Sequence, residues 1–215
     1  MKTTRSLAQA LTVSLILTLS LAAPPPGHAA PQAAKAELRG LLGRAQFSRA
    51  GGPFQAVVAG ATFETGDVIQ TAAGSAVDLD LGAGVGTVRL TESTTLVIEK
   101  WWVAEHAYEL NLFLRDGEML GRVAHPTSPS RFQVKVNSGL GAIVEGQFRL
   151  DAKGYLVLLD GKAKYVQMPS GGEPTAHALN TPPAQYLPPV GGVRAAPAEL
   201  VKEVNNQLRS KLPKR

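Results

Sequence analysis

From Leu38 to Met168, apolar and polar positions alternate in short runs rich in Val, Leu, Thr and Phe, broken by Gly or Asp-Gly. Alternation of period two bounded by turn residues predicts half-buried strands. The runs fall at 40–49, 54–58, 67–70, 76–81, 86–90, 95–99, 108–115, 118–123, 132–136, 141–145, 147–151, 155–159 and 162–166. No helical period interrupts them. The expected class is all-β, a multi-stranded antiparallel sandwich or roll of short hairpins over 38–168.

Three hairpins are predicted individually. Asp116-Gly117 and Asp160-Gly161 each stand between two strand runs, and Asp-Gly suits a tight turn that needs positive φ. In the first, Leu110, Leu112 and Leu114 share one face, while Asn111, Phe113 and Arg115 share the other. The third joins 76–81 to 86–90 through a Gly-rich bend, with Val77, Leu79 and Leu81 inward and Asp78 and Asp80 towards solvent.

Beyond Met168 the texture changes. Residues 169–197 hold Gly171-Gly172, Pro182-Pro183 and Pro188-Pro189 and are expected to form an extended Pro/Gly-rich linker, within which Tyr186-Leu187 can dock as a last strand. Pro197 then suits the first position of a helix. Leu200, Val201, Val204, Leu208 and Leu212 line one side of an amphipathic helix over 198–212. Such a short helix is marginal alone in water, so it must dock on the β domain, on a partner or weakly on a membrane surface.

The N-terminus carries Lys2 and Arg5, then an uncharged apolar run from Leu7 to Ala23, three prolines and the small-residue pattern Gly27-His28-Ala29. This layout predicts a secretory signal peptide over 1–29. Its apolar run, broken by Ser and Thr, is short beside the roughly 20 residues of a membrane span. The expected destination is the periplasm or the extracellular space.

Composition narrows the chemistry. There is no cysteine in 215 residues, which excludes disulfides, thiolate metal sites and a thiol nucleophile. A net charge of +5 is mild, and no basic cluster appears before the C-terminal tail, so nucleic acid is not an expected partner.

The order of blocks resembles the FecR-like domain family of bacterial cell-envelope proteins. The likeness runs over about residues 40–168. It rests on Thr65-Gly66-Asp67-Val68 within 60–71, Gly74-Ser75-Ala76-Val77 and Leu90-Thr91-Glu92-Ser93. It continues through Leu114-Arg115-Asp116-Gly117, Phe132-Gln133-Val134, Val144-Glu145-Gly146-Gln147-Phe148 and Asp160-Gly161-Lys162. Gln147 stands where the family commonly has Thr. The resemblance implies a β-rich, noncatalytic extracytoplasmic module that works through protein contacts. In the best-understood architecture such a domain relays a receptor's state to a cytoplasmic anti-sigma segment. Only Met1 to Arg5 precede the apolar run here, so the expectation is a stand-alone module without that segment.

No motif points to catalysis, a metal or a cofactor. His28, His106, His125 and His177 are far apart, and Gly82-Ala83-Gly84-Val85-Gly86 lacks the Lys-Ser/Thr ending and following helix of a phosphate loop. Ser138-Gly139 reads as a turn. Glu64/Asp67 and Asp78/Asp80 can be posed as a hydrolase dyad, but turn and surface roles explain each residue.

Trp101-Trp102 is the most informative apolar feature. Neighbours on a strand face opposite sides, so at most one enters the core comfortably, and the other either rests under a loop or forms an exposed contact spot. Trp101 and Trp102 are the expected contact residues, ringed by Glu99, Lys100, Glu105 and His106. The helix positions Leu200, Val204 and Leu208 form a second expected docking element. The expected partner is an envelope protein; the alternative is a glycan or peptidoglycan stacked on the exposed aromatics.

Overall fold

A computed structural model describes residues 30–82, 84–105, 107–126, 128–169, 171–188 and 192–213. The expected leader at 1–29 and His106 lie outside the described residues. The first half of the chain provides β1 (Gln32–Ala33), β2 (Ala36–Leu42), β3 (Ala45–Ser48), β4 (Phe54–Ala56), β5 (Thr62–Phe63), β6 (Val68–Thr71), β7 (Ala76–Asp80), β8 (Gly86–Leu90) and β9 (Thr95–Val103). The second provides β10 (Tyr108–Asp116), β11 (Glu118–Val123), β12 (Arg131–Val136), β13 (Gly139–Asp151), β14 (Leu156–Leu158), β15 (Lys162–Gln167), β16 (Thr175–Leu179), β17 (Ala184–Leu187) and β18 (Gly192–Ala195), followed by helix α1 (Ala198–Arg209). The class is all-β with one C-terminal helix, as the periodicity predicts.

The strands make one curled sheet whose two halves face each other. The front half runs β4-β3-β6-β9-β10-β12-β13-β15-β16, with β1 beside the far end of β9. The back half runs β5-β2-β7-β8-β11-β13-β14-β17-β18. Strand β13 belongs to both. It bends at a register shift after Ile143, where Gly146 takes a φ of 109° and any Cβ would lie 2.0 Å from the Asp160 carbonyl oxygen. Only glycine fits there.

Apolar residues of both halves meet in one core. Phe47 of the front packs edge-on against Phe63 of the back at 5.4 Å, Phe132 against Phe148 at 5.8 Å, and Tyr165 stacks on Tyr186 at 4.3 Å. Aromatic pairs thus stitch the halves together along their width.

Two expected hairpins are corners instead. Strand β10 pairs with β9 and β12 in the front, whereas β11 pairs with β8 and β13 in the back. Asp116-Gly117 therefore carries the chain from one half to the other, and Asp160-Gly161 does the same between β14 and β15. Both places need positive φ and a bare backbone: a Cβ on Gly117 would stand 2.3 Å from Thr94 Oγ1, and one on Gly161 2.1 Å from the Glu145 carbonyl oxygen. Because β11 leaves the front half, β12 returns parallel to β10; the other pairings among the described strands are antiparallel. The β7–β8 hairpin forms as expected, with Val77 and Leu79 buried.

The expected linker at 169–197 is part of the fold. It supplies β16 against β15, β17 against β14, and β18 against β17. Its prolines punctuate short strands near the sheet edges, where a missing N–H is tolerated. Ala184, Gln185 and Tyr186 are buried. The β domain is therefore wider than 38–168.

Candidate interaction surfaces

The two outer faces differ in what covers them. On the back half, one outward row runs across the strands: Gly40, Asp78, Arg89, Leu120, Arg149, Val157 and Gln185 stand opposite one another in register. Helix α1 crosses it. Twelve residues span about 18 Å, which is about four strands at roughly 4.8 Å apiece. Leu120 and Val157 face outward yet are buried, and Val204 of the helix is 0% exposed. Each such burial contributes about 1.5–3 kcal/mol.

Polar contacts fix the helix in place. Arg89 clamps Asp78 bidentately, Nε to Oδ1 at 2.6 Å and Nη2 to Oδ2 at 2.7 Å, and donates from Nη1 to the Gln207 carbonyl in the last helical turn. Its Nη2 also donates to the Ser210 carbonyl at 2.6 Å. These carbonyls lack partners within the helix, and a cation there also opposes the negative end of the helix dipole. Arg149 bridges Glu118 at 3.4 Å and Glu203 at 3.1 Å. Burial pushes the Glu118 carboxyl above its ordinary pKa, against the pull of Arg149. The tail then lies along β2, where Leu41 N–H donates to the Pro213 carbonyl at 3.2 Å. Val204 is thus used within the chain and Leu200 and Leu208 are half-buried, so these helix positions are not a free docking element.

The front half has no described helix across its outer face. Here too one row runs in register: Phe54, Ser48, Val68, Val97, Phe113, Lys135, Leu140 and Val166. Six of these eight are large and apolar, and Phe54 is exposed. Lys135 Nζ and the Arg115 guanidinium sit 4.9 and 5.6 Å from the Phe113 ring centroid. The adjacent row, Lys100, Asn111, Gln133, Ala142 and Lys164, is mostly polar.

Trp101 and Trp102 lie on β9 at the end of this face, and they part as the strand geometry predicts. Trp101 is 0% exposed and packs edge-on to Tyr108 at 6.2 Å. Its backbone N–H donates to Thr65 Oγ1 at 2.8 Å. It belongs to the core and is not a contact residue. Trp102 is 37% exposed on the outer face. Its cross-strand neighbour Glu109 accepts from Lys100 Nζ at 2.6 Å and lies 3.6 Å from Arg131 Nη1. The Lys100 hydrogen bond is the main reason the Glu109 carboxyl sits below its ordinary pKa. Lys100 belongs to the expected rim; Glu109 and Arg131 join it only through strand pairing. Glu99 instead faces Lys135 at 3.9 Å.

The carboxylate pairs are structural. Asp67 is fully buried and accepts the Glu64 N–H at 3.0 Å, with Arg49 bridging both residues at 3.4 and 3.7 Å. Asp78 is held by Arg89, and Asp80 lies 3.5 Å from Arg39. His125 contacts Glu145, while the His177 ring lies 4.9 Å from that of Tyr186. Among the described residues no three His, Asp or Glu side chains stand close enough to hold a metal ion, and no helix is long and apolar enough to cross a membrane. Ser138 turns the chain between β12 and β13 and shares a 2.9 Å hydrogen bond with the Tyr165 hydroxyl. No family model, curated protein sequence or solved structure matches the chain.

Proposed function

We propose that this chain is an exported, noncatalytic FecR-like module of the cell envelope that binds an envelope protein through the outer face of its front half. One observation carries the reading: α1 covers the outer row of the back half, while the matching apolar row of the front half has no described helix over it. Apolar surface in a row, with exposed Phe54 at its edge, favours association over exposure to water. Lys135 within the row and Arg115 and Lys164 beside it favour an acidic partner segment and oppose self-pairing of two copies, which would bring like charges together.

A second reading rests on Trp102 alone. An exposed indole beside hydrogen-bonding groups on Glu109, Asn111 and Arg131 suits stacking on a sugar ring. Two substitutions separate the readings in pull-downs of full-length protein against purified wall material and solubilised envelope protein. Phe113→Ser disrupts the protein contact and spares wall retention; Trp102→Ala abolishes wall retention only if sugar is the ligand. Unchanged capture of a discrete acidic protein by Phe113→Ser overturns the first reading.

A further inference from the structure

We infer that the groove between the end of α1 and the back half is a seat for an anionic phosphate group. The groove has a volume of about 600 Å³ and is lined on the strand side by Arg39 and Arg122 and on the tail side by Arg209 and Lys211. Arg89 and Asp78 also line it but are spent on each other and on the helix end. Arg39 is 3.5 Å from Asp80, while Arg122 Nη2 donates only to the neutral Gln147 Oε1 at 3.0 Å. Among the described residues Arg122, Arg209 and Lys211 form no salt bridge.

Basic residues in a last helical turn are ordinarily explained by the helix dipole. That role is already filled here, because Arg89 occupies the Gln207 and Ser210 carbonyls. The dipole also gives no reason for two further arginines on the facing strands. Guanidinium groups on two walls form paired, charge-assisted bonds to phosphate oxygens and tolerate no isolated burial. Because one wall is the chain's tail, an anion seated there bridges tail and sheet, and its binding must stabilise the docked helix.

The phosphate can belong to a soluble polyanion or to a lipid headgroup, and two arms of one experiment separate these. Inorganic pyrophosphate is titrated into the full-length protein by calorimetry at fixed ionic strength, with the thermal midpoint followed in parallel. Vesicles of phosphatidylglycerol and of phosphatidylcholine are tested by co-sedimentation. The expected result is saturable binding of one pyrophosphate per chain with a raised midpoint. Arg122→Gln and Lys211→Gln each weaken it about tenfold, as loss of a charged hydrogen bond does. Lys164→Gln, the same charge change on the front half, leaves it intact. Binding to phosphatidylglycerol vesicles alone, lost in Arg122→Gln, assigns the seat to a lipid phosphate. No saturable binding in either arm, or equal weakening by Lys164→Gln, overturns the inference.

Discussion

Arg89 joins the sheet to the helix: one edge of its guanidinium grips Asp78 while Nη1 donates to the carbonyl of Gln207, 118 residues further along the chain. A single side chain therefore ties a cross-strand ion pair to a helix end. The ion pair lies within one hairpin, whereas the helix contact joins residues far apart in the chain.

Removing that tie should loosen α1 before it unfolds the domain. Arg89→Ala leaves a partly buried Asp78 carboxylate and the Ser210 carbonyl without their donor, and the Gln207 carbonyl with the Ser210 hydroxyl alone, at a cost of about 2–4 kcal/mol. Asp78→Asn keeps the helix contacts and should cost about 1 kcal/mol. Native-state hydrogen exchange checks this: in Arg89→Ala, amides of residues 201–209 lose protection while those of β10 and β12 keep theirs. Equal loss everywhere would mean the helix is not a separate unit.

The two tryptophans should behave oppositely. Trp101→Ala empties a core position and should cost about 3–5 kcal/mol. Trp102→Ala, at an exposed site, should fall within about 1 kcal/mol of wild type. Urea unfolding reads both values, and similar losses would contradict the placement of the two rings.

Glycine at the corners is required by contacts as well as by φ. Gly161→Ala meets the Glu145 backbone as well as a left-handed φ, whereas Gly74→Ala has the φ but nothing within 4 Å of the added Cβ. Gly74→Ala should cost about 1 kcal/mol and Gly161→Ala distinctly more, since backbone must shift. A thermal-melt comparison decides the order.

Two carboxylates should give stability opposite pH dependences, starting from an ordinary value of 4.5. Glu109 has a lowered pKa in the fold, so its contribution is present above 4.5 and is lost as pH falls through the folded value. Glu118 has a raised pKa, so the fold prefers it protonated. Its contribution is full below 4.5 and is lost as pH rises through the folded value. Unfolding free energies from pH 3 to 8 should show Glu109→Gln removing the acid-side loss and Glu118→Gln removing the loss on rising pH. Curves for both variants parallel to wild type would refute these assignments.

Much of this architecture is legible in local pattern. Val77-Asp78-Leu79-Asp80 alternates as the β7–β8 hairpin requires, and adjacent tryptophans must part. Strand partners are not local, so Asp116-Gly117 and Asp160-Gly161 look like hairpin turns although they are corners. The strands of 169–197 are short and set among prolines and glycines, which mask their period. The covered outer face does leave a trace: Leu120 between Met119 and Gly121, and Val157 between Leu156 and Leu158, break the alternation as strands buried on both faces do. The row of Val97, Phe113, Leu140 and Val166 exists only through register, so the candidate surface was visible at Trp102 alone.

Photo-crosslinking in cells of the protein's own host compares the two outer faces. A photo-crosslinking amino acid is placed at Phe113 on the front face, or at Lys202 on α1 over the back, in the full-length chain. Position 113 should give one discrete protein adduct, joined through an acidic peptide, and position 202 none of that species. The same adduct from position 202, or none from 113, would contradict binding through the front face.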